Sequence, residues 1–185
     1  MSGISLHAGV SRGVAGRLHS PAVDARDLAA AAAARGFGVQ RVLIDSDADV
    51  FLAELRVVVS RVRRGDTLLI TFSGHGRANA WCFADRDLQV GEVGDVLALR
   101  PRGVRVVIVA DACHSDAWRA IDGVTLIAPP DQHPRDGAGL NTRTPFVAQL
   151  LRDLRVNPAL LTPAAATPAR RGARSCDGKA ARRRR

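Results

Sequence analysis

The sequence predicts an α/β fold in which a mainly parallel β-sheet is flanked by helices. Short runs of β-branched and apolar residues alternate with longer segments whose apolar residues recur at helical spacing. The run Val104–Ala110 is an almost unbroken series of valine and isoleucine, which is typical of a parallel strand covered on both faces. Strands and helices that alternate in this way form a sheet with right-handed crossover connections.

Each element is predicted from its pattern and from the turn residues that bound it. The predicted strands are Ile4–Ala8, Val39–Ile44, Thr67–Phe72, Val104–Ala110 and Val124–Ala128. The predicted helices are Val23–Arg35, Val50–Arg63, Gly91–Leu99 and Thr144–Leu154. The first helix is rich in alanine and stops at Gly36, and the second carries one apolar face. Pro129–Gly139 is polar and is predicted to be a loop at the carboxyl edge of the sheet.

The chain divides into one domain, residues 1–157, and a basic tail, residues 158–185. The net charge is +9, but Arg170–Arg185 alone holds eight basic residues and one acid. The rest of the chain is therefore close to neutral. No aromatic residue lies among these arginines, which favours a solvated, disordered tail over a nucleic-acid-binding arm.

Composition also predicts the compartment. No apolar run approaches the roughly 18 residues that a membrane span needs, so we expect no membrane association. The three cysteines match no disulfide framework, and the first residues lack the pattern of a signal peptide. These features together favour the cytoplasm.

Two predicted strands end in residues that carry chemistry. "TLLITFSGHG" delivers His75 between two glycines, and "VRVVIVADACHSDAW" delivers Cys113. Reacting groups collect at the carboxyl ends of parallel strands, so we expect these two side chains to lie in one cleft. A thiol beside an imidazole makes a nucleophile and its general base, and the N–H groups of Gly76 and Cys113 are candidate donors to an oxyanion.

These motifs resemble those of the caspase-like cysteine peptidases of clan CD, and most of all the bacterial metacaspases, or orthocaspases. "FSGHG" resembles the Tyr-Ser-Gly-His-Gly motif of that family, and "DACHS" resembles its Asp-Ser-Cys-His-Ser-Gly motif. "ISLHAGV" and "AVDARDLAAAAAARGF" are similar to the first strand and helix of these proteins. The resemblance covers roughly residues 3–155 and implies the three-layer caspase-haemoglobinase fold.

The resemblance also implies an activity. Proteins of this family hydrolyse peptide bonds after Arg or Lys, with the cysteine as nucleophile and the histidine as general base, here Cys113 and His75. Asp24 and Asp111 match the acidic pair that receives the basic P1 side chain, and Ser73 lies beside that pocket. Two carboxylates in a cleft would select a guanidinium or an ammonium group. The substrates implied are peptides with a basic P1 residue, and the arginines of the tail are candidate self-processing sites.

Some positions depart from the family pattern. Val90 and Gly91 stand where the calcium-dependent members have an Asp pair, and hard cations need several oxygen ligands. We therefore expect no metal and no other cofactor. Asp116 stands where a glycine is usual, and Phe72 replaces a tyrosine. Two interpretations stay open: a peptidase with weak or calcium-independent activity, and a catalytically inactive caspase-like interaction module.

Overall fold

A five-stranded parallel sheet forms the middle layer of the fold. The computed structural model describes residues 2–130, 142–161 and 163. In chain order, the strands of this part of the chain are β1 (Gly3–Gly9), β2 (Arg12–Gly13), β3 (Gly16–Arg17), β4 (Phe37–Ile44), β5 (Thr67–Ser73), β6 (Gly76–Arg77), β7 (Ala80–Cys82), β8 (Asp87–Gln89), β9 (Arg105–Asp111) and β10 (Val124–Ile127). The central sheet has the order β10–β9–β5–β1–β4, and every neighbouring pair is parallel.

Helices cover both faces of this sheet and complete three layers. They are α1 (Pro21–Ala33), α2 (Ala48–Arg61), α3 (Val90–Ala98) and α4 (Pro145–Val156), with short 3₁₀ helices at Ser115–Ala120 and Pro158–Leu161. Phe51 and Leu55 of α2 and Val93 of α3 pack in one apolar cluster with Leu68 and Ile70 of β5. On the other face, α1 and α4 share a second apolar cluster with alternate residues of β5 and β9.

The predicted strands and helices are confirmed, and their ends shift by at most two residues. The first helix begins at Pro21 rather than Val23, because proline fits the first helical position, where its missing N–H is not needed. Helix α4 begins after Thr144, whose side chain accepts the N–H of Val147 as a cap.

Two small antiparallel sheets were not predicted. Strands β2 and β3 form a hairpin, and β6, β7 and β8 form a three-stranded sheet. Each strand has only two or three residues, which is too short to show an alternating pattern. Both sheets lie in connections that leave the carboxyl edge of the central sheet, so they shape the region where the chemistry was predicted.

The predicted start of the tail lies within a short 3₁₀ helix. Pro158–Leu161 forms this helix, and Leu161 packs in the cluster beneath α4. The division into a domain, residues 1–157, and a tail, residues 158–185, stays a prediction. The remainder of the basic tail lies outside the described residues, and its disorder stays a prediction. Within the described ranges, no helix is both long and apolar enough to cross a membrane.

A stack of aromatic rings joins three connections of the chain. Trp81 of β7 lies between Phe72 of β5 and Trp118 of the first 3₁₀ helix, with ring centroids 4.5 Å and 3.5 Å apart and both pairs stacked. All three side chains are fully buried. Phe72 precedes the His75 loop and Trp118 follows the Cys113 loop, so the stack fixes the two loops relative to each other.

We expect Trp118→Ala to lower the free energy of unfolding by about 3–5 kcal/mol, because it deletes a large buried ring and leaves a cavity beside Trp81. Urea denaturation followed by far-UV circular dichroism measures the change. Leu99→Ala is the control: Leu99 is 73% exposed, so the change should stay within about 0.5 kcal/mol. Equal stability of the two variants would contradict a structural role for the stack.

Candidate active site

His75 lies two residues beyond the carboxyl end of β5. The loop is hydrogen-bonded both to β9 and to β7. Gly74 N–H donates to the carbonyl of Asp111 at 3.1 Å, and the carbonyl of His75 accepts Cys82 N–H at 2.9 Å. The side chain is partly exposed. A Cβ atom at Gly16 would stand 3.9 Å from Nε2 of His75, so the β2–β3 hairpin lies beside the imidazole.

Asp45 holds that hairpin in place. Its backbone has a positive φ of 49°, which aspartate tolerates better than most residues. The carboxylate accepts the N–H groups of Ser11 at 2.6 Å and Arg12 at 2.9 Å. At the other side of the hairpin, Val14 N–H donates to the carbonyl of Phe83 at 3.1 Å. The loop that faces His75 is therefore fastened at both ends.

Cys113 lies at the apex of a tight turn after β9. Ser115 closes the turn, because its hydroxyl donates to the carbonyl of Ala112 at 2.6 Å, and His114 adopts the left-handed conformation with φ 55°. Cys113 is partly exposed. The short 3₁₀ helix Ser115–Ala120 follows this turn.

The sheet register brings the two loops together. Strands β5 and β9 are adjacent and parallel, with Ser73 opposite Asp111, so His75 and Cys113 each lie two residues beyond the same register position. Gly76 packs directly on the Cys113 loop, since a Cβ atom there would collide with the carbonyl oxygen of Cys113. The assignment of the Gly76 and Cys113 N–H groups to an oxyanion hole stays a prediction.

Cys82 is a poor competitor for the role of nucleophile. The thiol is fully buried, and burial followed by a hydrogen bond to Asp87 raises its pKa to about 11. A thiol with this pKa stays protonated near neutral pH, and the thiolate is the nucleophilic form. Of the cysteines in the described ranges, Cys113 is the one that solvent reaches.

The three residues predicted to form a P1 pocket do lie together, but they are buried. The exposed fractions are 0% for Asp24, 1% for Ser73 and 2% for Asp111. Asp24 accepts the Ser73 hydroxyl at 2.9 Å and the N–H of Thr144 at 3.1 Å. The Thr144 hydroxyl donates to Asp111, so this threonine bridges the two carboxylates.

Thr144 is the member of this cluster that sequence reasoning missed. It was placed at the start of the last helix, and the Thr-Pro pair at 144–145 does signal a helix N-terminus. That signal predicts the cap on Val147. It does not predict contact with residues 24 and 111, which lie 120 and 33 positions away in the sequence.

Burial dominates the titration of Asp24. It raises the pKa of this carboxyl from 3.8 to about 7, against the opposing hydrogen bonds from Ser73 and Thr144; the neighbouring charge of Asp111 raises it further. Near neutral pH the closed cluster therefore holds less than two full negative charges.

His7 is a second buried titratable group on the same face of the sheet. Its imidazole lies between the hydroxyls of Ser5 at 2.9 Å and Thr71 at 2.8 Å. Burial lowers its pKa from 6.5 to about 4, so the ring is neutral in the folded protein at physiological pH. The hydroxyl layer continues along β5 to Ser73.

Asp116 does not obstruct the Cys113 loop. Its side chain is 68% exposed and forms an ion pair with Arg119 at 3.1 Å, one turn along the 3₁₀ helix. The carboxylate is thus solvated and partly compensated. Val90 and Gly91 lie in the first turn of α3, and no group of three His, Cys, Asp or Glu residues within the described ranges has a metal-binding arrangement.

Comparisons with known proteins identify the fold. No protein-family model matches the sequence, and no curated protein matches it. Among solved structures, the chain resembles protein GSU0716 from Geobacter sulfurreducens with a TM-score of 0.71 and 22% identity, over 84% of this chain and 83% of that one. It also resembles caspase-1 from Spodoptera frugiperda with a TM-score of 0.61 and 14% identity, over 83% of this chain and 69% of that one. The chain therefore has the caspase-like α/β fold that its sequence predicts.

We expect Gly76→Ala to disrupt the candidate site, because the new methyl group collides with a backbone carbonyl rather than with a flexible side chain. Differential scanning fluorimetry should show a lower melting temperature, and iodoacetamide should label Cys113 at an altered rate. Gly91→Ala is the matched control, since a Cβ there meets nothing within 4 Å. A Gly76→Ala protein that matches this control in both measurements would contradict close packing of the two loops.

Asp24 and His7 affect stability in opposite directions. Folded Asp24 keeps its proton up to about pH 7, whereas an ordinary carboxyl loses it near pH 3.8. The contribution of Asp24 to the free energy of unfolding therefore falls as the pH rises between these two values. Folded His7 stays neutral down to about pH 4, whereas the ordinary imidazole gains a proton below 6.5. The contribution of His7 to the free energy of unfolding falls as the pH drops between these two values. The effects of Asp24 and His7 on stability therefore cancel in the pH range where both groups titrate.

We expect Asp24→Asn to remove this cancellation. Between about pH 6.5 and 4.5 the variant should lose stability on acidification by up to ~1.4 kcal/mol per pH unit more than the wild type, because only His7 then titrates. Urea unfolding at several pH values in this range gives the slope of the free energy of unfolding against pH. Parallel slopes for the variant and the wild type would contradict the assignment.

Proposed function

We propose that this chain is a cysteine endopeptidase that cleaves peptide bonds after Arg or Lys, with no requirement for calcium. The observation that carries the proposal is the placement of the His75 and Cys113 loops side by side at the carboxyl ends of β5 and β9, with two carboxylates behind them. The likeness to a protein named caspase-1 supports it, because that likeness extends over 83% of this chain.

The roles of the residues follow from their chemistry. His75 accepts the proton of the Cys113 thiol, and the thiolate attacks the carbonyl carbon of the scissile bond. The N–H groups of Gly76 and Cys113 donate to the oxyanion that forms. When the C–N bond breaks, His75 returns its proton to the leaving amine, and the acyl group stays on sulfur as a thioester. Water, deprotonated by His75, then hydrolyses the thioester and frees Cys113.

Asp24 and Asp111 supply the specificity. Two carboxylates match the five donors of a guanidinium or the charge of an ammonium group. A neutral P1 side chain would bring neither a donor nor a positive charge to the two carboxylates, and a site built from buried polar groups rejects such a ligand strongly. Ser73 holds one oxygen of Asp24, and this hydrogen bond keeps the carboxylate oriented.

A second candidate is a catalytically inactive caspase-like interaction module. The observation that favours it is the burial of Asp24, Ser73 and Asp111, none of which is more than 2% exposed. In that case the acidic cluster only joins α1, β9 and α4, and Cys113 performs no reaction. The two candidates differ in whether a basic P1 group accelerates modification of Cys113.

The test is hydrolysis of matched fluorogenic peptides with Arg, Lys or norleucine at P1. We expect the Arg and Lys peptides to be cleaved, and Cys113→Ala and His75→Ala each to lower kcat/KM by at least about a thousandfold. His19→Ala is the matched imidazole control, since His19 is an exposed residue before α1, and should retain wild-type activity. Asp111→Asn should lower the Arg-to-norleucine preference about 10–100-fold, through loss of a charge-assisted hydrogen bond.

Equal turnover by the wild type and Cys113→Ala would refute the peptidase, and would leave the interaction module as the better explanation. Cleavage that depends on Cys113 but shows no preference for basic peptides would retain the nucleophile and reject the role of the carboxylates.

A further inference from the structure

The acidic cluster is closed by a residue from a distant part of the chain. Thr144 is fully buried and bridges Asp24 and Asp111 with two donors, its backbone N–H and its hydroxyl. With Thr144 in this position, a side chain that enters from solvent cannot reach either carboxylate. If the proposed function is correct, the residue that occupies this place has to leave it when substrate binds.

We infer that Thr144 is the specificity-determining residue that closes the P1 pocket, and that the segment 142–144 is a latch which a basic P1 side chain displaces. This inference rests on the proposed function and deepens it. Thr144 offers one donor to each carboxylate, which is the pattern that two N–H groups of a guanidinium would present. The threonine thus occupies the place of the substrate group inside the resting protein.

The chemistry of the exchange favours a cation. Thr144 gives the two carboxylates hydrogen bonds but brings no positive charge of its own. A guanidinium replaces both donors and also places a positive charge between the carboxylates. A neutral P1 side chain replaces neither donor and leaves two buried acceptors unpaired. The latch therefore admits Arg or Lys and excludes residues that merely fit the space.

The latch also has attachments outside the acidic pair. The Thr144 side chain also caps α4 by accepting Val147 N–H at 3.2 Å, so its release unwinds only the first turn of that helix. On the outside, Arg143 pairs with Asp27 of α1 at 2.5 Å, with side chains 48% and 29% exposed. Exposed ion pairs of this kind are weak and screened by salt, so this outer attachment can open without loss of the core.

Two variants separate the latch from the fold. Thr144→Val keeps the shape and the backbone N–H but removes the hydroxyl donor to Asp111, whereas Thr144→Ser keeps that donor. We expect Thr144→Val to react faster than the wild type with an arginyl chloromethyl ketone at Cys113, by about 10–100-fold for the loss of one charge-assisted hydrogen bond. Thr144→Ser should match the wild type. Labelling of Cys113 is followed by intact mass at pH 8.

Asp27→Asn provides a second variant that leaves the buried cluster untouched, and it keeps the test available if Thr144→Val does not fold. Loss of the outer ion pair should speed arginyl labelling about 2–3-fold. The rate with iodoacetamide, which needs no pocket, should stay unchanged in every variant. A uniform change with both reagents would show an altered Cys113 loop instead of a latch, and would overturn the inference.

Hydrogen exchange then reports the movement directly. After arginyl modification of wild-type Cys113, peptides that cover residues 142–150 should exchange faster than in the unmodified protein, because the amides of Thr144 and Val147 lose their acceptors. After modification by the norleucyl analogue they should remain protected.

The outcomes are distinguishable. Equal labelling rates for arginyl and norleucyl reagents in the wild type would reject the proposed specificity for basic residues. They would also reject the latch, because the latch rests on that specificity. A clear arginyl preference with unchanged exchange at 142–150, or with no acceleration in Thr144→Val and Asp27→Asn, rejects the latch alone and keeps the peptidase.

Discussion

The stack of Phe72, Trp81 and Trp118 is the interaction on which the candidate site depends most. Parallel pairing of β5 with β9 brings the His75 and Cys113 loops to one edge, but a sheet fixes only the strands and not the loops that leave them. The stack fixes the chain beyond the strand ends as well. Phe72 precedes the His75 loop and Trp118 follows the Cys113 loop, and both rings lie against Trp81. Phe72 stands where the caspase-like peptidases that the sequence resembles have tyrosine, and in this cluster the ring face makes the contact. The missing hydroxyl therefore leaves the stacking intact.

The two faces of the central sheet have different chemistry. The face under α2 and α3 has an apolar core, in which Leu6, Ile70 and Ile108 belong to one continuous cluster. The face under α1 carries buried polar groups, from His7 and Thr71 to Ser73 and the two carboxylates. Buried polar groups are tolerated when each has partners. The hydroxyls of Ser73 and Thr144 are such partners here, since they donate to Asp24 and Asp111.

The sequence predicts elements well and pairwise contacts poorly. Hydrophobic periodicity is a local signal, so the strands and helices could be placed, and the rule that reacting groups collect at carboxyl ends of strands put His75 and Cys113 at one edge. The burial of Asp24 could not be predicted in this way, because it depends on Thr144, 120 positions further along. The two small sheets, β2–β3 and β6–β7–β8, could not be predicted for another reason. Their strands are too short to show an alternating pattern. Hydrogen bonds between residues far apart in the sequence hold them in place, such as that from Val14 N–H to the carbonyl of Phe83.

Burial of the acidic pair has a consequence for the proposed activity. The closed cluster raises the pKa of Asp24 to about 7, so at slightly acidic pH the protein stores a proton there. A guanidinium between Asp24 and Asp111 favours two ionised carboxylates, because each then faces a positive charge. Binding of a basic side chain is therefore coupled to release of that proton, and by linkage its affinity rises with pH until Asp24 is ionised. In the proposed activity, the burial that closes the pocket thus makes recognition of an arginine depend on pH through Asp24.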